Sequence, residues 1–88
     1  MQTDLSIHIN KKMYTEKQGQ YLAFIFYYTK INGIPPAQAD FQRYFSVTPP
    51  SVHQMIMQLE NLKLITRIPN KSRSLTVSLL EEQLPKLK

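Results

Sequence analysis

Apolar and polar positions follow a helical period most clearly between Thr48 and Glu60. With Val52 at the centre of one face, a rotation of about 100° per residue brings Met55, Ile56, Leu59 and Leu62 beside it. Pro50, His53, Gln54, Met57, Gln58 and Asn61 are left on the outer surface, and none of them is charged at neutral pH. Thr48 can accept the orphan amides of the first turn, and Pro49 suits the first helical position, where a missing amide hydrogen is no loss. The stretch predicts a helix with an oily inner face and an uncharged outer one, suited to lying against something polar.

Two further helices precede it. Thr15 and Gln18 have the spacing of a capping box, and Tyr21, Leu22, Ile25, Tyr28 and Thr29 follow at the spacing of one face. Gly33 ends that helix, and Pro35-Pro36 prevents its continuation. Pro36 can also open a short second helix reaching about Phe45, with Ala39, Phe41 and Phe45 as its buried side. Ser46-Val47-Thr48 is long enough only for a turn. After Lys63 the period changes to that of strands: Leu64 to Ile68 and Leu75 to Leu79 flank Pro69-Asn70-Lys71-Ser72-Arg73, which predicts a hairpin with a basic tip. Residues 1–14 form an N-terminal arm in which Leu5, Ile7 and Ile9 alternate with polar residues, residues 15–80 form the domain, and residues 81–88 are a short helical turn or loose tail.

A chain of 88 residues allows one small domain with a modest core. Its formal charge is +5 although only 19% of its residues are charged, so the basicity comes from scarce acids and favours a polyanionic partner. There is no cysteine, which excludes disulfides and thiolate metal sites. The apolar run around Tyr21 to Tyr28 is too short to span a bilayer, and the N-terminus lacks a basic segment followed by an apolar one. A soluble protein of the cytoplasm is expected. No Gly-rich phosphate loop is present, and His8 and His53 have no carboxylate or second histidine at metal-binding spacing. Neither catalysis nor a cofactor or metal is expected.

Helix, helix, three-residue turn, helix and a two-stranded ribbon make a mostly α chain with a small β-hairpin, the order of a winged helix-turn-helix. Thr15 to Leu79 resembles the DNA-binding domain of LexA-type repressors. The resemblance rests on Thr15-x-x-Gln18, Gly33-Ile34-Pro35-Pro36, Pro49, Leu59 with Leu64-Ile65, and Ser72-Arg73-x-Leu75 at the wing. The family usually has glycine where this chain has Ser46 and Lys63, so these two residues are expected to adopt a left-handed backbone or to reshape their turns. Full-length LexA-type repressors continue into a self-cleaving domain with a Ser/Lys pair, for which 88 residues leave no room. The resemblance therefore implies DNA binding without peptidase activity.

The third helix is the expected reader of duplex DNA, with its N-terminal side chains at base edges in the major groove. Ser51 and His53 can donate or accept hydrogen bonds, Gln54 can bond adenine in a bidentate way, and Pro50 and Met57 can touch thymine methyls. The resemblance puts Pro50, Ser51, His53 and Gln54 at base-facing positions, with Gln58 one turn further in. Lys63, Arg67, Lys71 and Arg73 fall within a stretch that contains no acid and, with Ser72, are the expected backbone and wing contacts. Arg73 is also a candidate for a narrow minor groove. Lys17 and Arg43 are weaker candidates for backbone contact. Tyr21, Phe24, Phe26, Tyr27 and Tyr28 are too broad for one buried face, so either the tail or arm covers part of them or they form a homodimer surface, as the terminal segments also could. The expected activity is that of a small repressor. A winged helix used for protein-protein interaction, and a fragment of a longer repressor, stand as alternatives.

Overall fold

The computed structural model describes residues 13–88. The strand-like alternation of Leu5, Ile7 and Ile9 lies outside these residues, as do His8, Lys11 and Lys12. Helix α1 spans Glu16–Asn32, α2 Gln38–Phe45 and α3 Pro49–Asn61. They are followed by strands β1, Ile65–Thr66, and β2, Thr76–Val77, and by a 3-10 turn at Glu81–Gln83. The order is that of a winged helix-turn-helix.

The helix ends follow from their capping chemistry. Thr15 Oγ1 accepts from the Gln18 amide at 3.1 Å, and the Gln18 side chain accepts from the Thr15 amide at 2.9 Å, completing the box at the start of α1. Gly33 closes α1 at φ 80°, its amide donating to the Thr29 carbonyl. Helix α2 begins without a side-chain cap on Ala37; instead Asp40 Oδ2 accepts from the Ala37 amide at 2.8 Å. Its C-cap, Ser46, is left-handed at φ 55° and ψ 51°, and Lys63 after α3 has φ 63°. Both residues thus take the conformation that glycine usually supplies.

Three helices and the wing share one core. Tyr21, Leu22 and Ile25 of α1, Phe41 of α2, Val52, Ile56 and Leu59 of α3, and Ile65 of β1 are almost wholly buried. Tyr21 stacks on Phe41 and Phe45, with ring centroids 5.4 and 4.5 Å apart. Phe24 packs against Phe41, Tyr44 and Phe45, so Tyr21 and Phe24 of the aromatic run join α1 to α2. Two expected inward residues are corrected. Leu62 is 51% exposed because the chain leaves α3 there, and Leu64 and Ile65 take its place inside. Ala39 is exposed, and the adjacent Asp40 is buried instead, drawn in by the Ala37 amide and two arginines.

The hairpin is shorter than the β-branched runs predict. Ile65 pairs with Val77 and Thr66 with Thr76, and the chain between them is a long tip. The expected strand residues beyond Thr66 give way to a turn closed by Ser74, whose Oγ accepts from the Ile68 amide at 3.0 Å and donates toward the Lys71 carbonyl at 2.9 Å. Asn70 supplies a left-handed residue at φ 63°, a conformation that asparagine tolerates well.

Residues 81–88 are packed on α1. Tyr14 donates its hydroxyl to the Gln83 carbonyl, Gln20 Nε2 donates to the Lys86 carbonyl at 2.9 Å, and the Lys88 amide donates to Gln20 Oε1 at 2.9 Å. Leu79, Leu84 and Leu87 lie against the core. Gly19 makes this docking feasible, since a Cβ there would stand 2.7 Å from the Tyr14 ring and 3.1 Å from Pro85 Cγ. Tyr27 and Lys30 reach Glu81 at 3.4 and 3.6 Å, so the C-terminal segment covers part of the aromatic run.

Candidate nucleic-acid interface

Helix α3 is fixed from beneath and open above. Val52, Ile56 and Leu59 anchor it in the core, and Thr48 Oγ1 receives the Ser51 amide at 3.4 Å while lying 3.0 Å from Ser51 Oγ. Pro49 and Pro50 fill its first turn. Pro50, Ser51, His53, Gln54, Met57 and Gln58 are all exposed, so the expected reading residues share one surface. Met55 is half-buried, at the margin between that surface and the core. Gln58 has a partner inside the protein: Gln18 Nε2, from the α1 capping box, lies 3.4 Å from its Oε1.

Charge around this surface is one-sided. Between positions 41 and 80 the sequence holds five cations, Arg43, Lys63, Arg67, Lys71 and Arg73, and one acid, Glu60. Arg67 Nε holds Glu60 at 3.0 Å, which joins the C-terminal part of α3 to the strand that follows it. Lys63 and Lys71 are exposed and form no ion pair with any described residue. Of the other described acids, Asp40 is bonded to Arg43 and Arg73, Glu81 pairs with Lys30 at 3.6 Å and Glu16 with Lys88 at 2.9 Å. A surface of this kind, neutral and polar on the helix with exposed cations on the wing, is complementary to base edges flanked by phosphates.

The wing residues divide into two kinds. Lys71 and Ser72 stand at the exposed tip, and with Arg67 and Arg73 they border a cleft of about 260 Å³ between the wing, the start of α2 and Ile56 of α3. Arg73 turns inward. Its Nη1 lies 3.1 Å from Asp40 Oδ2, 3.3 Å from the Pro35 carbonyl and 3.3 Å from the Tyr28 hydroxyl. Asp40 is the one buried charged residue among those described, and its other oxygen accepts from Arg43. Burial alone pushes the Asp40 carboxyl up, but the Ala37 amide, Arg73, Tyr28 and Arg43 outweigh it and hold the group below the ordinary carboxylate value.

Sequence reasoning missed the parts of this region that act through other residues. Asp40 had a readable signal, an acid three positions after the residue that precedes a helix, where it meets both an orphan amide and the helix dipole. Ser74 and Tyr28 had none, because their partners are brought close only by the folded wing. Among the described residues no group of three or more His, Cys, Asp or Glu is placed to hold a metal, and no helix is long and apolar enough to cross a membrane.

Comparison with known proteins agrees with the architecture. The family model for the LexA DNA binding domain matches residues 11–74, from before α1 to the end of the wing tip. Among curated proteins, the LexA repressor of Thermosipho melanesiensis is 40% identical over 72 residues, covering 82% of this chain and 35% of the relative. The LexA repressor of Thermosipho africanus is 36% identical over 66 residues, covering 75% of this chain and 33% of the relative. The chain thus spans about a third of the length of these relatives. With the matched span holding all three helices and the wing tip, the chain belongs to the LexA DNA-binding domain family.

Proposed function

We propose that the protein binds duplex DNA sequence-specifically and represses transcription, acting inside the cell on chromosomal DNA. Helix α3 enters the major groove by its first two turns, where Pro50, Ser51, His53 and Gln54 meet base edges and Gln58 stands one turn further in. Lys63, Arg67, Lys71 and Ser72 hold the sugar-phosphate backbone. The observation that carries this reading is the pairing of an exposed, uncharged α3 face with exposed Lys63 and Lys71, in a forty-residue stretch whose one acid is already bonded to Arg67. Membership of the LexA DNA-binding domain family points the same way.

The test is the salt dependence of duplex binding. Each phosphate neutralised contributes about −0.9 to the slope of log Kobs against log salt. Lys71→Ala is expected to reduce the slope by about that amount and to weaken all duplexes alike, whereas Gln54→Ala should change base preference with little change in slope. Binding that is indifferent to salt would contradict the proposal.

A further inference from the structure

We propose that Arg73 and Asp40 form a latch that holds the wing in the posture its phosphate contacts require, Arg73 acting as a positioning residue and not as a DNA ligand. This inference rests on the DNA-binding reading above. Arg73 is a natural candidate for phosphate or the minor groove on sequence alone, and its surroundings argue otherwise. The three acceptors around its Nη1 come from α1 (Tyr28), the α1–α2 connection (Pro35) and α2 (Asp40), all outside the hairpin. The Asp40 side chain is only 5% exposed, and of its two cationic partners Arg73 is 39% exposed against 72% for Arg43. An Arg73 that left for a phosphate would strip a buried carboxylate of its better enclosed cation, and such a charge is costly to leave uncompensated.

Arg67–Glu60 and the buried Leu75 fasten the base of the hairpin, and two features leave its tip dependent on the latch. The ladder has two residue pairs, and the bonds of Ser74 run to Ile68 and Lys71, so they shape the tip without fastening it to the helices. Arg73 itself has a left-handed backbone, φ 54°, a conformation unfavourable for arginine unless its surroundings hold it there. The side-chain bonds to three other segments supply that hold. Lys71 and Ser72 immediately precede the anchor, so its position sets theirs.

A double-mutant cycle tests this. At about 0.15 M salt, one lost phosphate contact is worth about fivefold in affinity. Lys71→Ala should cost about fivefold in the wild-type background and less than twofold in the Arg73→Gln background, because an unlatched wing no longer presents Lys71. Were Arg73 an independent phosphate ligand, the two losses would be additive and the fivefold effect would persist, which would overturn the latch. Asp40→Asn gives a test of sign. It raises the net charge by one and frees Arg73, so charge alone would tighten binding; the latch requires binding to weaken, and tightening would overturn it. Circular dichroism restricts the comparison to folded protein, and Arg73→Lys serves where Arg73→Gln does not fold, since lysine keeps the charge but its shorter side chain ends one bond short of the position Nη1 holds among these acceptors. Trypsin cleavage after Lys71 in DNA-free protein should accelerate several-fold in either Arg73 variant, and an unchanged rate would overturn the latch. If the wild-type protein binds no duplex while that acceleration is seen, the fault lies in the functional reading and not in the latch geometry, and the assignment of Arg73 to DNA positioning falls with it.

Discussion

Ser46 holds a left-handed backbone at the turn between α2 and α3, where a Cβ lies close to the following carbonyl. Relief of that contact is worth about 1–2 kcal/mol, partly offset by the greater freedom glycine has in the unfolded chain, about 0.4–1 kcal/mol. Ser46→Gly is therefore expected to stabilise the protein by about 1 kcal/mol and to raise Tm by about 4 °C in thermal unfolding. A lower Tm would show that the Ser46 side chain contributes more than its backbone costs. Lys63 is in the same conformation but also carries charge toward the proposed interface, so glycine there would exchange affinity for stability. The need for these conformations was legible from the family resemblance, because glycine usually stands at both positions. That Asp40 and not Ala39 turns inward was not legible from apolar spacing. Hydrophobic periodicity places greasy side chains, whereas Asp40 is buried by an amide and two arginines, one of them 33 positions away.

The elements follow their sequence signals wherever those signals are local. The capping box at Thr15, the stop at Gly33, the Thr48-Pro49 start and the three-residue turn all stand where nearby residues dictate. The wing departs from expectation, while the C-terminal segment takes the short helical turn expected of it and owes its packing on α1 to the same kind of cause. Their form depends on distant partners: Ser74 shortens the strands by closing the tip, and Tyr14 and Gln20 tie residues 83–88 to α1. Gly19 tests that second association. In an open helix, Gly→Ala is favourable by about 1 kcal/mol. Here the new Cβ would meet a Tyr14 ring that is held by Gln83 and would also press on Pro85. Gly19→Ala is expected to destabilise the protein and to release the C-terminal segment, seen as faster carboxypeptidase trimming; a gain in Tm would contradict the packing described. At the interface, α3 shows the same division. Its exposed face was readable from a rotation of about 100° per residue, but the Gln58 contact with Gln18 was not, since it joins the starts and ends of different helices.

At the scale of the molecule, Lys63, Arg67, Lys71 and Arg73 of the wing and its approach meet two described acids, Glu60 and the buried Asp40, whereas where α1 meets the C-terminal segment Glu81 and Glu16 are matched by Lys30 and Lys88. Because Asp40 titrates below the ordinary carboxylate value in the folded state, its contribution to stability is fully present above the unfolded value, about 4, and is lost as pH falls through the folded one. Urea midpoints should hold steady toward pH 5 and decline below about 4, with a shallower acid decline in Asp40→Asn; equal declines in the two proteins would contradict this role. The central claim is that the uncharged face of α3 reads bases while the wing holds phosphate. Two α3 helices in a dimer would add half-sites about 34 Å apart, one turn of duplex. Selection from randomised duplex DNA at fixed salt, run in parallel on the wild-type protein and Gln54→Ala, tests the claim most directly. The expected result is an enriched motif for the wild-type protein that changes at one base position, or at its two symmetry-related copies, in Gln54→Ala. No enrichment at low salt, or an identical motif from both proteins, would contradict it.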